Sequence, residues 1–111
     1  MNVKVTARHA EVTDPMKEYA HAKARRLARY FDHARKIEVI LDLDGAKGFR
    51  AEMVASLVRG RVLVCRSEGS TAAAALDSVV DKMERQLTRF KEKLRGRPNR
   101  AAGGRGSPGG R

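Results

Sequence analysis

The stretch Leu76-Asp77-Ser78-Val79-Val80-Asp81-Lys82-Met83-Glu84-Arg85-Gln86-Leu87-Thr88-Arg89-Phe90-Lys91-Glu92-Lys93-Leu94 is the most regular in the chain. Its apolar residues, Leu76, Val79, Val80, Met83, Leu87, Phe90 and Leu94, recur at steps of 3, 1, 3, 4, 3 and 4. That is the repeat of a helix with one buried face. With Lys82 at 0° and about 100° per residue, the apolar stripe spans about 60° to 160°. Lys82, Arg85, Arg89 and Lys93 fall between about 300° and 20°, beside the core face. Asp77, Asp81, Glu84 and Glu92 fall at about 200° to 280°. The helix therefore has a core face, a basic face and an acidic face. Pairing at i,i+4 does not by itself sort charges this way, although Asp81–Arg85 is such a pair. A cationic stripe of this kind fits a phosphate backbone, and an acidic protein surface is the competing partner.

Working back from this helix, Gly69-Ser70-Thr71 leads into it, with Ser70 or Thr71 as the cap. Val62-Leu63-Val64-Cys65 reads as a strand whose inward face the periodicity leaves open. Arg59-Gly60 and Gly45-Ala46-Lys47-Gly48 are turns. Between them Phe49, Ala51, Met53, Ala55 and Leu57 show period two, and so do Ile37, Val39, Leu41 and Leu43 before them. Three successive strands with short turns make an antiparallel meander. Asp32-His33-Ala34 separates it from a first helix, which opens at Thr13-Asp14-Pro15 and runs to about Tyr30. Met16, Tyr19, Ala20, Leu27, Tyr30 and Phe31 form its apolar face, within about 120° of arc centred near Leu27. Asn2-Val3-Lys4-Val5-Thr6 is a short strand whose place in the sheet is undetermined. The class is α+β, ordered β-α-β-β-β-α. The expected architecture is a four-stranded sheet with two parallel helices on one face, a two-layer sandwich like that of double-stranded-RNA-binding domains.

On the first helix, Lys17, His21, Arg25, Arg26 and Arg29 cover most of the non-core face. Lys23 falls inside the apolar stripe, where it either snorkels or is held for a purpose. Two parallel helices share a groove, and Lys23 on one rim with the Lys82–Lys93 stripe on the other would seat a phosphate backbone.

The chain has 111 residues, 24 Lys and Arg against 13 Asp and Glu, and a net charge of +11. Residues 96–111 hold Arg97, Arg100, Arg105 and Arg111, no acid, and six of the ten glycines. Such a segment buries no apolar surface and is expected to be a disordered basic tail. The folded part, residues 1–95, is basic in its own right, which points to a polyanionic partner. No apolar run approaches the roughly 18 residues of a membrane span, and no signal-type segment opens the chain, so a cytoplasmic location is expected. Enzymatic chemistry lacks its residues. His9, His21 and His33 have no metal-ligand spacing, Asp32-His33 reads as a helix-end cluster, and Cys65 sits in an expected strand. No cofactor, metal or small-molecule substrate is expected. With two Tyr, three Phe and no Trp, the chain has no aromatic platform for stacking bases.

Ala75-Leu76-Asp77, Asp81-Lys82-Met83, Arg85-Gln86-Leu87 and Lys91-Glu92-Lys93-Leu94 resemble the second helix of the ribosome hibernation promoting factors. This family is also known as the ribosome-associated translation inhibitors, or σ54 modulation proteins. Glu68-Gly69, Val12-Thr13, Lys23, Leu27 and Tyr30-Phe31-Asp32 fit the same pattern, which covers residues 1–95. The chain departs from it at Ala72-Ala73-Ala74, where the family often carries a Met-Tyr pair, and its basic tail makes it similar to the short form. The resemblance implies a non-enzymatic protein that binds small-subunit rRNA at the decoding region of the ribosome. It would block mRNA and tRNA there under stress or in stationary phase, and be a monomer off the ribosome. It implies rRNA contacts from Lys23, Arg26, Lys82, Arg85, Arg89 and Lys93, supported by Arg25, Arg29 and Lys91, and gives Lys23 a functional role. A regulator of an acidic protein surface and a generic structured-RNA-binding module are the alternatives.

The tail yields a first test. Removal of residues 96–111 is expected to leave the melting temperature nearly unchanged. It should weaken RNA binding modestly, with the largest loss at low salt, where unscreened charge acts furthest.

Overall fold

The computed structural model describes residues 2–9, 11–44 and 48–94. The expected Gly45-Ala46-Lys47 turn and the 96–111 tail lie outside them. The elements are β1 (Asn2–Ala7), α1 (Asp14–Tyr30), β2 (Ala34–Asp44), β3 (Gly48–Leu57), β4 (Val62–Gly69) and α2 (Ala72–Leu94), with a 3-10 turn at Val58–Gly60. The sheet order is β1-β2-β3-β4. β1 lies at the edge, parallel to β2, and the other neighbours are antiparallel. A parallel pair needs a crossover, and α1 supplies it.

One face of the sheet is the core face. Ile37, Val39 and Leu41 of β2, Ala51, Met53, Ala55 and Leu57 of β3, and Cys65 and Ser67 of β4 are buried on it. The inward face of β4 thus carries Cys65 and Ser67, while Val62 and Val64 are 55% and 48% exposed. Register fixes this choice: Cys65 sits opposite Met53, and Val64 opposite Val54. β4 also runs on to Gly69, past the apolar stretch Val62–Cys65. Its extra residues are polar on the open face, where Arg66 pairs with Glu52 at 3.4 Å. An apolar-run reading does not register them.

Both helices cover the core face, α1 over β1 and β2, α2 over β3 and β4. They follow strands of the same direction and so run parallel. α1 buries Ala20, Ala24, Leu27 and Ala28, and Phe31, just past its end, is buried with them. The centre of this set lies about 45° round the helix from Leu27, on the alanine side. Tyr30, expected in the core, is therefore 62% exposed. Tyr19 and Lys23 move with it to the flank facing α2. Alanines permit close approach of helix to sheet, and two of them, Ala24 and Ala28, draw the buried face round.

α2 is entered through its backbone and one side chain. The Ala74 N–H donates to Thr71 Oγ1 at 3.0 Å, so Thr71 is the cap. Thr13 precedes α1 without a side-chain cap bond, and Pro15 stands in the first turn instead. Gly69 lies where the end of β4 meets the first turn of α2. A Cβ there would stand 2.6 Å from the backbone nitrogen of Ala75, and one at Gly48 would stand 2.7 Å from the carbonyl oxygen of Gly69.

Two stability outcomes follow. Gly69→Ala is expected to cost about 1–3 kcal/mol, since helix backbone must move to admit a methyl group. Thr71→Ala should cost about 1 kcal/mol through loss of the cap. Urea unfolding curves of the two variants check both, and an unchanged midpoint for Gly69→Ala would contradict the close approach.

Candidate nucleic-acid interface

α2 buries Ala72, Ala75, Leu76, Val79, Met83, Leu87 and Phe90. That seam sets its rotation, and the rotation places every charge on it. On one flank, Ser78 Oγ donates to Ser67 Oγ at 3.0 Å and Lys82 Nζ donates to the Arg66 carbonyl at 2.8 Å. This flank overhangs β4, and the basic stripe rises from it. On the opposite flank, Asp77 accepts the Tyr19 hydroxyl at 2.7 Å and lies 4.0 Å from Lys23 Nζ. The acidic face of α2, not the basic stripe, therefore borders α1. The expected groove with cations on both rims is corrected accordingly: Lys23 and the Lys82–Lys93 stripe lie on opposite sides of α2.

Within the stripe, Arg85 is paired with Asp81. An exposed i,i+4 pair is worth only about 0.3–0.5 kcal/mol, so a phosphate can recruit this guanidinium at little cost. Lys82 is steadied by its carbonyl partner. Arg89 and Lys93 are exposed and enter no ion pair among the described residues.

Lys23 is half-buried. Its Nζ lies near Asp77 and 5.4 Å from the centre of the Tyr19 ring. The hydrogen bond to Asp77, with burial and the carboxylate charge behind it, pushes the Tyr19 phenol above its usual range. A protonated Tyr19 and a charged Lys23 thus share one carboxylate. Of the other α1 cations, Arg25 Nε donates to His21 Nδ1 at 3.2 Å, and Arg29 stands exposed in the last turn. Arg26 and Lys91 line the groove between the helices, about 580 Å³ in volume, together with Lys23, Tyr30, Glu84 and Glu92 over Leu27, Phe31 and Val80. Lys91 Nζ also lies 5.9 Å from the centre of the Phe31 ring.

The open face of the sheet is balanced by contrast. Arg50 lies 3.6 Å from Asp42, and Arg66 pairs with Glu52. The sequence reading missed the Tyr19–Asp77–Lys23 link and the exposure of Tyr30. Ala24 and Ala28, at helical spacing with Ala20 and Leu27, are the signal that would have found both. Burial pushes the Cys65 thiol up, partly offset by the charge of Lys82, and leaves it a poor nucleophile. Among the described residues no group of three or more His, Cys, Asp or Glu side chains is placed to hold a metal. No described helix is long and apolar enough to cross a membrane.

Known proteins share both sequence and fold with this chain. It is 32% identical over 95 residues to the ribosome hibernation promoting factor of Escherichia coli K12, covering 86% of this chain and 98% of that protein. It is 34% identical over 94 residues to the protein of that name from Azotobacter vinelandii, covering 84% and 85%. The crystal structure of the Thermus thermophilus Protein Y N-terminal domain is similar with a TM-score of 0.68 and 36% identity, over 81% of this chain and 99% of that one. A ribosomal subunit interface protein from Coxiella burnetii, at 20% identity, shares the fold with a TM-score of 0.72, over 82% and 98%. Residues 3–95 match the family described as sigma 54 modulation protein / S30EA ribosomal protein, and the chain belongs to that family.

Proposed function

We propose that this protein binds small-subunit rRNA at the decoding region and silences the ribosome by occupying the path of mRNA and tRNA. Ribosome association with inhibition of translation is the function of the family to which it belongs. The family is non-catalytic, and occlusion needs no reacting group. The observation that carries the reading is the cationic flank of α2, anchored by a buried seam, on which Arg89 and Lys93 enter no ion pair among the described residues. Lys82, Arg85, Arg89 and Lys93 form one contact strip, and Lys23 and Arg26 form a second across the acidic face. The two strips serve two stretches of phosphate backbone rather than one. Arg25, Arg29 and Lys91 border the second strip. The site of action is the cytoplasm, and the protein is a monomer off the ribosome.

Reversal of Lys82, Arg85 and Arg89 to Glu is expected to abolish co-sedimentation with small subunits while the circular dichroism spectrum stays intact. For about six phosphate contacts, wild-type affinity should fall roughly a thousandfold between about 50 and 200 mM salt. A folded triple variant with unchanged affinity would contradict the reading.

Lys23→Met separates anchoring from recognition. Asp77 keeps the Tyr19 hydroxyl, so stability should change little, while ribosome affinity should fall severalfold. Equal affinities for wild type and variant in the same sedimentation assay would remove Lys23 from the interface.

A further inference from the structure

The groove between α1 and α2 has a composition that suits neither a phosphate nor an apolar ligand. Its floor, Leu27, Phe31 and Val80, is apolar. Its α2 wall carries Glu84 and Glu92, and among the described residues neither carboxylate enters an ion pair. Those charges repel a phosphate from the interior. Cations lie on the same groove, Arg26 from α1 and Lys91 from α2, with Lys23 beside Asp77. Tyr30, 62% exposed, belongs to the same lining. An exposed aromatic ring, with two cations and two carboxylates that enter no ion pair among the described residues, beside one apolar floor, matches the parts of a single nucleotide. The ring takes the flat face of the base, the cations take its phosphates, and the carboxylates accept hydrogen bonds from amino groups on its edge. At about 580 Å³ the groove is of the size that holds small ligands.

We propose that this groove holds an unstacked RNA base against Tyr30, with the amino edge of the base on Glu84 or Glu92 and the flanking phosphates on Arg26 and Lys91. The proposal rests on the RNA-binding reading above and adds a base-reading subsite to it. Acceptors on the wall favour adenine, cytosine and guanine, which offer an exocyclic amine, over uracil, whose one N3–H donor lies between two carbonyl oxygens that a carboxylate repels. Specificity of this kind is absent from the outer stripe of α2, which meets phosphates alone.

The test uses the full chain and single-stranded oligo(A), oligo(C) and oligo(U) with fluorescence-anisotropy readout. Oligo(A) and oligo(C) are expected to bind more tightly than oligo(U). Tyr30→Ala should weaken oligo(A) and oligo(C) about tenfold, the scale of one lost stacking contact, without changing the salt slope. Tyr30→Phe should bind as wild type. Glu84→Gln with Glu92→Gln should narrow the gap between oligo(C) and oligo(U). Tyr30→Trp would be the only tryptophan in the chain, and its emission should be quenched on titration with oligo(A). This readout does not depend on the stability of the alanine variant. Equal affinity for Tyr30→Ala and wild type, a loss in Tyr30→Phe equal to that in Tyr30→Ala, or unquenched tryptophan emission would each overturn the subsite. So would capture of oligolysine by the groove in place of RNA. If the oligonucleotide results hold and the protein fails to sediment with ribosomes, the ribosome reading falls and the subsite stands. If sedimentation holds and Tyr30→Ala changes nothing, the subsite falls alone.

Discussion

The burial of one seam of α2 against β3 and β4 determines the character of the molecule's surface. Leu76, Val79, Met83, Leu87 and Phe90 are each almost wholly removed from water. Each fully buried side chain of this kind is worth roughly 1.5–3 kcal/mol before entropy. Rotating the helix by even one residue would forfeit several of them. The seam therefore fixes the azimuth of α2, and the charges have no further choice. Lys82, Arg85, Arg89 and Lys93 stand out over β4, and Asp77 and Glu84 turn toward α1. The placement of charge on this fold is a consequence of which way a hydrophobic stripe must face.

The acidic flank of α2 has its own structural use. Asp77 receives the Tyr19 hydroxyl and lies beside Lys23, so a single carboxylate ties α1 to α2 at the end where both helices begin. Farther along, no side-chain hydrogen bond or ion pair between the helices closes the gap among the described residues, and the helices enclose a groove that leaves Tyr30 in contact with solvent. Two parallel helices on one sheet thus present three surfaces of different chemistry. These are a cationic outer stripe, a mixed groove, and the basic α1 flank bearing Arg25 and Arg29.

Much of this was legible in the sequence. The element order, the meander, Thr71 as one of two candidate caps, and the three-faced α2 all follow from periodicity and turn chemistry, because each depends on residues near in sequence. The errors share a cause. The expected α1 face rests on its large residues, whereas Ala24 and Ala28, which set the real contact with the sheet, carry little hydropathy. The polar continuation of β4 to Gly69 depends on cross-strand partners in β3, and the edge position of β1, which the periodicity leaves open, depends on pairing with β2. The direction of the basic stripe relative to α1 was likewise invisible, since it rests on which side of β4 the helix crosses. Tertiary register decides each of these, and a single-sequence pattern contains none of it. The residues proposed to meet rRNA rest on resemblance together with charge placement, and the separation of Lys23 from the α2 stripe is visible only in the fold.

The central claim, that the helix cations bring this protein to the decoding region, is tested most directly by chemical probing of small-subunit rRNA with and without the full chain bound. Protection confined to nucleotides of the decoding region, and lost when Lys82, Arg85 and Arg89 are reversed to Glu, is the predicted result. Protection elsewhere on the subunit, or a decoding-region footprint that survives the reversal, would contradict it.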